Sequence, residues 1–255
     1  MTTFSHSGTL GDLIYSLAMI KHMGGGDLYL RLHDMNRMAH RVLGAPSAGD
    51  HAGEMTQGQF DALTSFMEAQ PYINSWNVYK DEEIDHCLEE CGFTIVKQGG
   101  NYAYSYATHL GLDFYKNYKE FMFEPWLTVP NPIKIPGKPI VVNRVNRHLY
   151  NCDPELKGWK DFLRRGLVDN AVYVGKPDEH AWFEKSLGIK IEHYPTKDIL
   201  EVAQVIAGAE QFIGSQSMCL SLAIGLGKTT ICECRKDLKL EQNECYYVRP
   251  NIHYF

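Results

Sequence analysis

Positive charge is scarce in this chain: 25 Lys and Arg stand against 31 Asp and Glu, a formal charge of −6. Sequence-independent binding of nucleic acid needs clustered cations, so the composition sets that class aside, a local basic groove apart. Long apolar runs are also missing, and none approaches the ~20 residues that span a bilayer. The opening Met-Thr-Thr-Phe-Ser-His lacks the basic-then-apolar pattern of a secretory leader. No internal repeat, low-complexity tract or Asp-x-Asp motif occurs. Cysteine is present but unpaired in pattern. Among seven cysteines, Cys87 and Cys91 stand one helical turn apart, and Cys232 and Cys234 alternate in a strand-like run. Neither pair is joined by a second close Cys or His pair, so no metal set is expected, and reduced thiols of a cytoplasmic protein are.

Apolar residues at 44% and charged residues at 22% of 255 suffice for the core of one large or two small domains. A composition shift divides the chain. Four prolines crowd into residues 130–139, where helix and central strand are both prevented. This predicts a domain over 1–128, a semi-rigid linker over 129–138 and a second domain over 139–255.

The second domain reads as alternating strands and helices. Apolar strands are predicted at 139–143, 171–175, 189–193, 211–214 and 229–234. Helices are predicted at 159–165, 180–187, 197–207 (capped by Thr196) and 217–226. Such alternation makes parallel, right-handed βαβ units. The first domain reads less regularly: strands at 2–5 and 28–32, a helix at 12–23, a loop over 34–56, a helix at 60–68, an edge strand at 72–79 and an aromatic-rich helix at 102–118.

Open parallel sheets bind ligands beyond the carboxyl ends of their strands. Four loops qualify. In the first, Gly8, Thr9 and Gly11 bring backbone close to a ligand ahead of a helix start, and Asp12 either caps that helix or faces the cleft as a base. In the second, Arg144 and Arg147 leave a strand end, as forked phosphate donors or as solvated charges. In the third, Gly175 and Lys176 make a strand exit, with Asp178 a possible cap and Glu179 and His180 on the same rim. The fourth is the most specific. Gly214-Ser215-Gln216-Ser217 runs directly into a helix of small and apolar residues, presenting amides and hydroxyls to an anion, with Ser217 alternatively a plain N-cap. Glu233, on the next strand, is in place for a ribose hydroxyl or is an ordinary strand-end carboxylate.

The stretches 8–17, Gly-Thr-Leu-Gly-Asp-Leu-Ile-Tyr-Ser-Leu, and 206–228, with its Ile-Ala-Gly-Ala run and the Gly-Ser-Gln-Ser turn, resemble glycosyltransferase family 9, the ADP-heptose:lipopolysaccharide heptosyltransferase-like group. The Val172-Tyr173-Val174-Gly175 strand fits the same pattern. The resemblance implies a GT-B fold: two Rossmann-like α/β domains facing a cleft, the first on the acceptor side and the second holding a nucleotide sugar. It implies a hexosyl- or heptosyltransferase with Asp12 as base and Arg144 or Arg147 on the donor phosphates, needing no metal or other cofactor. The acceptor is left open among saccharides, small molecules and modified nucleic acid. The family's fourth loop carries Asp and His, and this chain has neither there. That departure keeps a second reading in view, a GT-B protein that binds a nucleotide sugar without turnover. A third is a phage-type enzyme modifying DNA bases.

Overall fold

A computed structural model describes residues 1–32, 55–88, 101–146, 156–243 and 245–255. The loop expected over 34–56 falls almost wholly outside them, as do Arg147 and Cys91. Two parallel sheets carry the fold. The first has four strands: β1 (Thr3–His6), β2 (Gly26–Leu30), β3 (Ile73–Val78) and β4 (His86–Cys87), in the order β3-β2-β1-β4. The second has six: β5 (Ile140–Asn143), β6 (Ala171–Tyr173), β7 (Glu192–His193), β8 (Gln211–Ser215), β9 (Thr229–Glu233) and β10 (Ile252–Tyr254), in the order β10-β9-β8-β5-β6-β7. Among the described residues, neighbouring strands pair in parallel through both sheets.

Each sheet reverses its winding once. The chain runs β1 to β3 in one direction and then crosses to β4 on the far side of β1. It runs β5 to β7 outward and returns to β8 beside β5. The reversal opens a crevice at the carboxyl ends of the flanking strands. The loops after β1, β5 and β8 therefore occupy the two switch points.

Eight α-helices are described: α1 (Leu10–His22), α2 (Gln57–Glu68), α3 (Tyr102–His109), α4 (Tyr118–Phe123), α5 (Lys157–Arg164), α6 (Pro177–Leu187), α7 (Ile199–Gly208) and α8 (Met218–Gly225). The aromatic stretch read as one helix over 102–118 is two, because Gly111 takes φ of +68° and turns the chain between them. The cap of α7 is Asp198, whose carboxylate accepts from the Glu201 amide, rather than Thr196. The short β4 and the closing β10 have no counterpart in the sequence reading.

Two helices are buried all round, as helices without a polar face must be. Residues 13–20 of α1 and 219–225 of α8 are all buried. One core cluster includes side chains of both halves, from Phe4 and Leu17 to Phe212 and Leu220. A smaller cluster covers the other face of the second sheet. Alternation along β5 sends Val141 into the first cluster and Ile140 and Val142 into the second. The proline-rich stretch contains neither helix nor strand and lies along α7. There the Ile133 amide donates to the Gln204 carbonyl at 2.9 Å.

Candidate functional site

The turn after β1 is shaped by His6. Its ring is buried, and the Gly8 amide donates to Nδ1 at 2.8 Å. That bond leaves the proton on Nε2, which donates to the Tyr106 hydroxyl at 3.1 Å. Tyr106 in turn donates to the Asp12 carbonyl at 3.0 Å. Burial pushes the imidazole down to about 3, so the ring is neutral and both nitrogens are spent on structure. A Cβ on Gly8 would stand 2.6 Å from His6 Cε1, which explains a glycine here.

Helix α1 opens at Leu10 with Thr9 as N-cap. The expected start at residue 12 moves back by two, so Asp12 is not the cap but a first-turn carboxylate, favourably placed on the helix dipole. The Tyr102 hydroxyl donates to its Oδ1. Tyr102 is itself held by stacking on Tyr15, with ring centroids 4.6 Å apart. Gly8, Thr9, Gly11 and Asp12 are all half-buried and keep contact with solvent.

In the second half, Asn143 ties three elements together. Its Nδ2 donates to the Val174 carbonyl at 2.7 Å, and its Oδ1 accepts from Ser217 Oγ at 2.8 Å. Ser217 also accepts from the Leu220 amide, so it is the N-cap of α8. Ser215 Oγ accepts from the Val145 amide at 3.2 Å, and Gln216 Nε2 donates to Asn143's near-namesake Asn243 at Oδ1, 2.7 Å away. Gly214 is buried, and a Cβ there would meet the Phe212 ring at 2.5 Å. The hydroxyls of this turn are thus engaged within the protein. The Met218 and Cys219 amides make no hydrogen bond among the described residues. Gln216, Ser217 and Met218 remain half-exposed.

Arg144 and Glu233, both expected beside the donor, are engaged with each other. Both side chains are fully buried, and they meet each other: Nε to Oε2 at 2.8 Å and Nη2 to Oε1 at 3.0 Å. Nη1 donates to the Val145 carbonyl. The pair spans β8, bracing the end of β5 against the end of β9. Arg147 lies outside the described residues. Gly175 accepts from His193 Nε2 through its carbonyl, and a Cβ on it would press on Asn143 and Tyr173 at 2.9 Å. Lys176 is exposed and is the N-cap of α6; Asp178, the expected cap, lies inside the helix.

The two half-sites meet. A Cβ on Gly11 would lie 3.9 Å from the backbone N and Cα of Met218. The amino ends of α1 and α8, each following a strand at its sheet's switch point, are therefore adjacent. Two helix N-termini bring two sets of amides and two positive dipole ends to one place, the physical requirement for holding a polyanion. A cavity of about 500 Å³ lies elsewhere, toward the carboxyl end of α1, lined by residues such as Lys21, Lys116, Lys119 and Trp126. Asn143, Tyr102 and Tyr106 organise the site, and sequence reasoning gave them no role. Only the position of Asn143 at a strand end signalled it.

No protein-family model matches the chain, and no curated protein matches it. Solved structures do. The chain is similar to E. coli ADP-heptose lps heptosyltransferase II, with a TM-score of 0.54 at 8% identity over 100% of this chain and 90% of that one. It is similar to a glycosyl transferase family 9 protein from Veillonella parvula, with a TM-score of 0.52 at 8% identity over 100% and 84%. E. coli heptosyltransferase WaaC with ADP gives a TM-score of 0.52 at 11% identity over 99% and 92%. Similarity along almost the whole of each chain, at such identities, is similarity of architecture: this protein has the fold of the family 9-like glycosyltransferases.

Proposed function

We propose that the protein is a glycosyltransferase that moves a sugar from a nucleotide-diphosphate sugar to an acceptor hydroxyl. The observation that carries the reading is the junction of the two helix starts, with Gly11 against Met218 and Asp12 one residue further on. The diphosphate is assigned to the Met218 and Cys219 amides at the start of α8. Lys176, exposed at the rim, is the described cation for the outer phosphate oxygens. Asp12 takes the acceptor proton as the C1–O bond to the diphosphate breaks through an oxocarbenium-like state. Tyr102 holds the Asp12 carboxylate in orientation. Negative charge builds on the departing diphosphate where amides and helix dipoles already point, so the second half stabilises the transition state without a metal. The E. coli relative bound to ADP supports a nucleotide donor.

One observation favours a nucleotide-binding protein without turnover: the buried pair with Glu233 occupies Arg144, one of the two forked cations expected on the donor phosphates. Asp12→Asn separates the readings. A thermal-shift panel of UDP, GDP, ADP, CMP and their sugars first identifies the ligand, which at ~100 times its dissociation constant adds roughly 2.7 kcal/mol of stability. With that donor, the enzyme reading expects Asp12→Asn to lose turnover by ~10²–10⁴-fold, as removal of a general base does, with the nucleotide shift unchanged. Sugar transfer or donor hydrolysis undetectable in the wild type leaves the binding reading standing. No shift with any nucleotide defeats both.

A further inference from the structure

Three thiols converge at the carboxyl end of β9. Cys232 lies in the strand and Cys234 just beyond it, and the two-residue period of an extended chain puts both on one face. Glu233, between them, faces the opposite way, toward Arg144. The third thiol, Cys245, returns from the loop that follows a short 3₁₀ turn at Leu240–Gln242. The three Sγ atoms lie within 4.8 Å of one another, all buried, and none is in a disulfide. The Cys232 and Cys245 sulfurs are 3.7 Å apart. That is far from the ~2.05 Å of an S–S bond. It matches the roughly 3.8 Å edge of a tetrahedron whose centre is ~2.3 Å from each sulfur, the geometry of thiolates sharing one zinc ion.

We propose that Cys232, Cys234 and Cys245 form a binding site for one thiophilic divalent cation, zinc or ferrous iron. Soft sulfur ligands select such ions over magnesium or calcium. Thiols give up their protons to solvent as such an ion binds. The Gln216 side chain is hydrogen-bonded to Cys234, beside the cluster.

The site has a structural consequence. The segment 235–245 is already stitched to the turn before α8: Asn243 Oδ1 accepts from both the Arg235 amide at 3.1 Å and Gln216 Nε2 at 2.7 Å. An ion joining Cys245 to the end of β9 closes that loop covalently and fixes its position beside Gln216. The spacing Cys-x-Cys in the sequence supplied two of the ligands. The third was invisible there, because a turn and a loop separate it from the strand.

The inference does not depend on the glycosyltransferase reading and is tested without activity. The full chain, purified under reducing conditions, is analysed for metals by mass spectrometry, then stripped with a chelator and titrated with zinc, ferrous iron or cobalt. The expected result is about one ion per chain and a thiolate-to-cobalt charge-transfer band. Cys232→Ser, Cys234→Ser and Cys245→Ser should each bring the stoichiometry close to zero, while Cys87→Ser, in β4, retains it. Should the serine variants fail to fold, the intensity of the wild-type cobalt band still counts the sulfur ligands. Absence of both retained metal and the cobalt band in reduced wild type overturns the proposal. So does a Cys232–Cys245 disulfide found in freshly purified protein.

Discussion

His6 sits at the end of β1 with a hydrogen bond on each ring nitrogen, and burial holds it neutral down to about 3. The unfolded chain protonates the same residue near its ordinary value of ~6.5. Between those values the unfolded state binds one more proton, so this group makes stability fall as pH falls. From pH 7 to pH 5 its contribution amounts to a loss of ~2 kcal/mol. Urea unfolding of wild type and His6→Gln at both pH values measures this, the variant being expected to lack that part of the slope. Equal slopes would show that the ring charges without penalty. Arg144 and Glu233 pose a different question at the same scale. Removing one member of a buried pair strands the other and costs ~3–5 kcal/mol, whereas replacing both by apolar residues is often close to neutral. Glu233→Met should therefore be strongly destabilising, and adding Arg144→Met should recover most of the loss. If Arg144 is a strut rather than a phosphate ligand, the double variant keeps the wild-type nucleotide thermal shift.

At the scale of elements, the contact between the linker and α7 sets two rules against each other. Gly208 ends α7, and helix propensity alone favours alanine there by ~1 kcal/mol. A Cβ at that position would stand 2.0 Å from the Ile133 carbonyl oxygen and 2.4 Å from its carbon. These are backbone atoms, so the linker must shift, and the steric term wins. Gly208→Ala is expected to cost ~1–3 kcal/mol. Gly58→Ala in α2, where the nearest atom is Thr56 Oγ1 at 4.0 Å, should be neutral or gain up to ~1 kcal/mol. Paired melting curves decide it; a stabilised Gly208→Ala would mean the linker is not held against α7. The elements themselves were largely legible. The strands of the second half announced themselves because parallel strands buried on both faces read as short apolar runs, as Ile-Val-Val in β5 does. Ser217 and Gly214 marked the turn before α8 through their own chemistry. Legibility failed where pairing is decided at long range. β4 has only two residues beside β1, β10 follows an irregular segment, and the Arg144–Glu233 pair joins positions 89 residues apart.

For the whole molecule, the decisive fact is that the halves share a core rather than merely a linker. Arg249, near the end of the chain, donates through Nε to the Met122 carbonyl at 2.9 Å, through Nη2 to Glu124 at 3.0 Å and through Nη1 to Ile224 at 2.6 Å. Met122 and Glu124 lie at the carboxyl end of α4 in the first half, and Ile224 near that of α8 in the second. One buried guanidinium thus caps two helices from different halves, where a cation is favoured by both dipoles. Trp126 adds a second tie, its indole donating to the Ile14 carbonyl while its own amide donates to Gly225. With α1 and α8 buried along most of their lengths, neither half can unfold without exposing the other's core. The chain should accordingly unfold in one transition, with far-UV circular dichroism and tryptophan fluorescence giving the same midpoint. Arg249→Met would leave the buried Met122 carbonyl unpaired at ~1–3 kcal/mol, lowering the single midpoint, while Ile224 keeps the Gly227 amide at 3.0 Å and the exposed Glu124 turns to water. Arg249→Lys should rescue little, since a point charge cannot fork to three acceptors. Two separate wild-type midpoints would instead mean that the halves fold independently, and the adjacency of the α1 and α8 amino ends, on which the proposed site rests, would then need a ligand to enforce it.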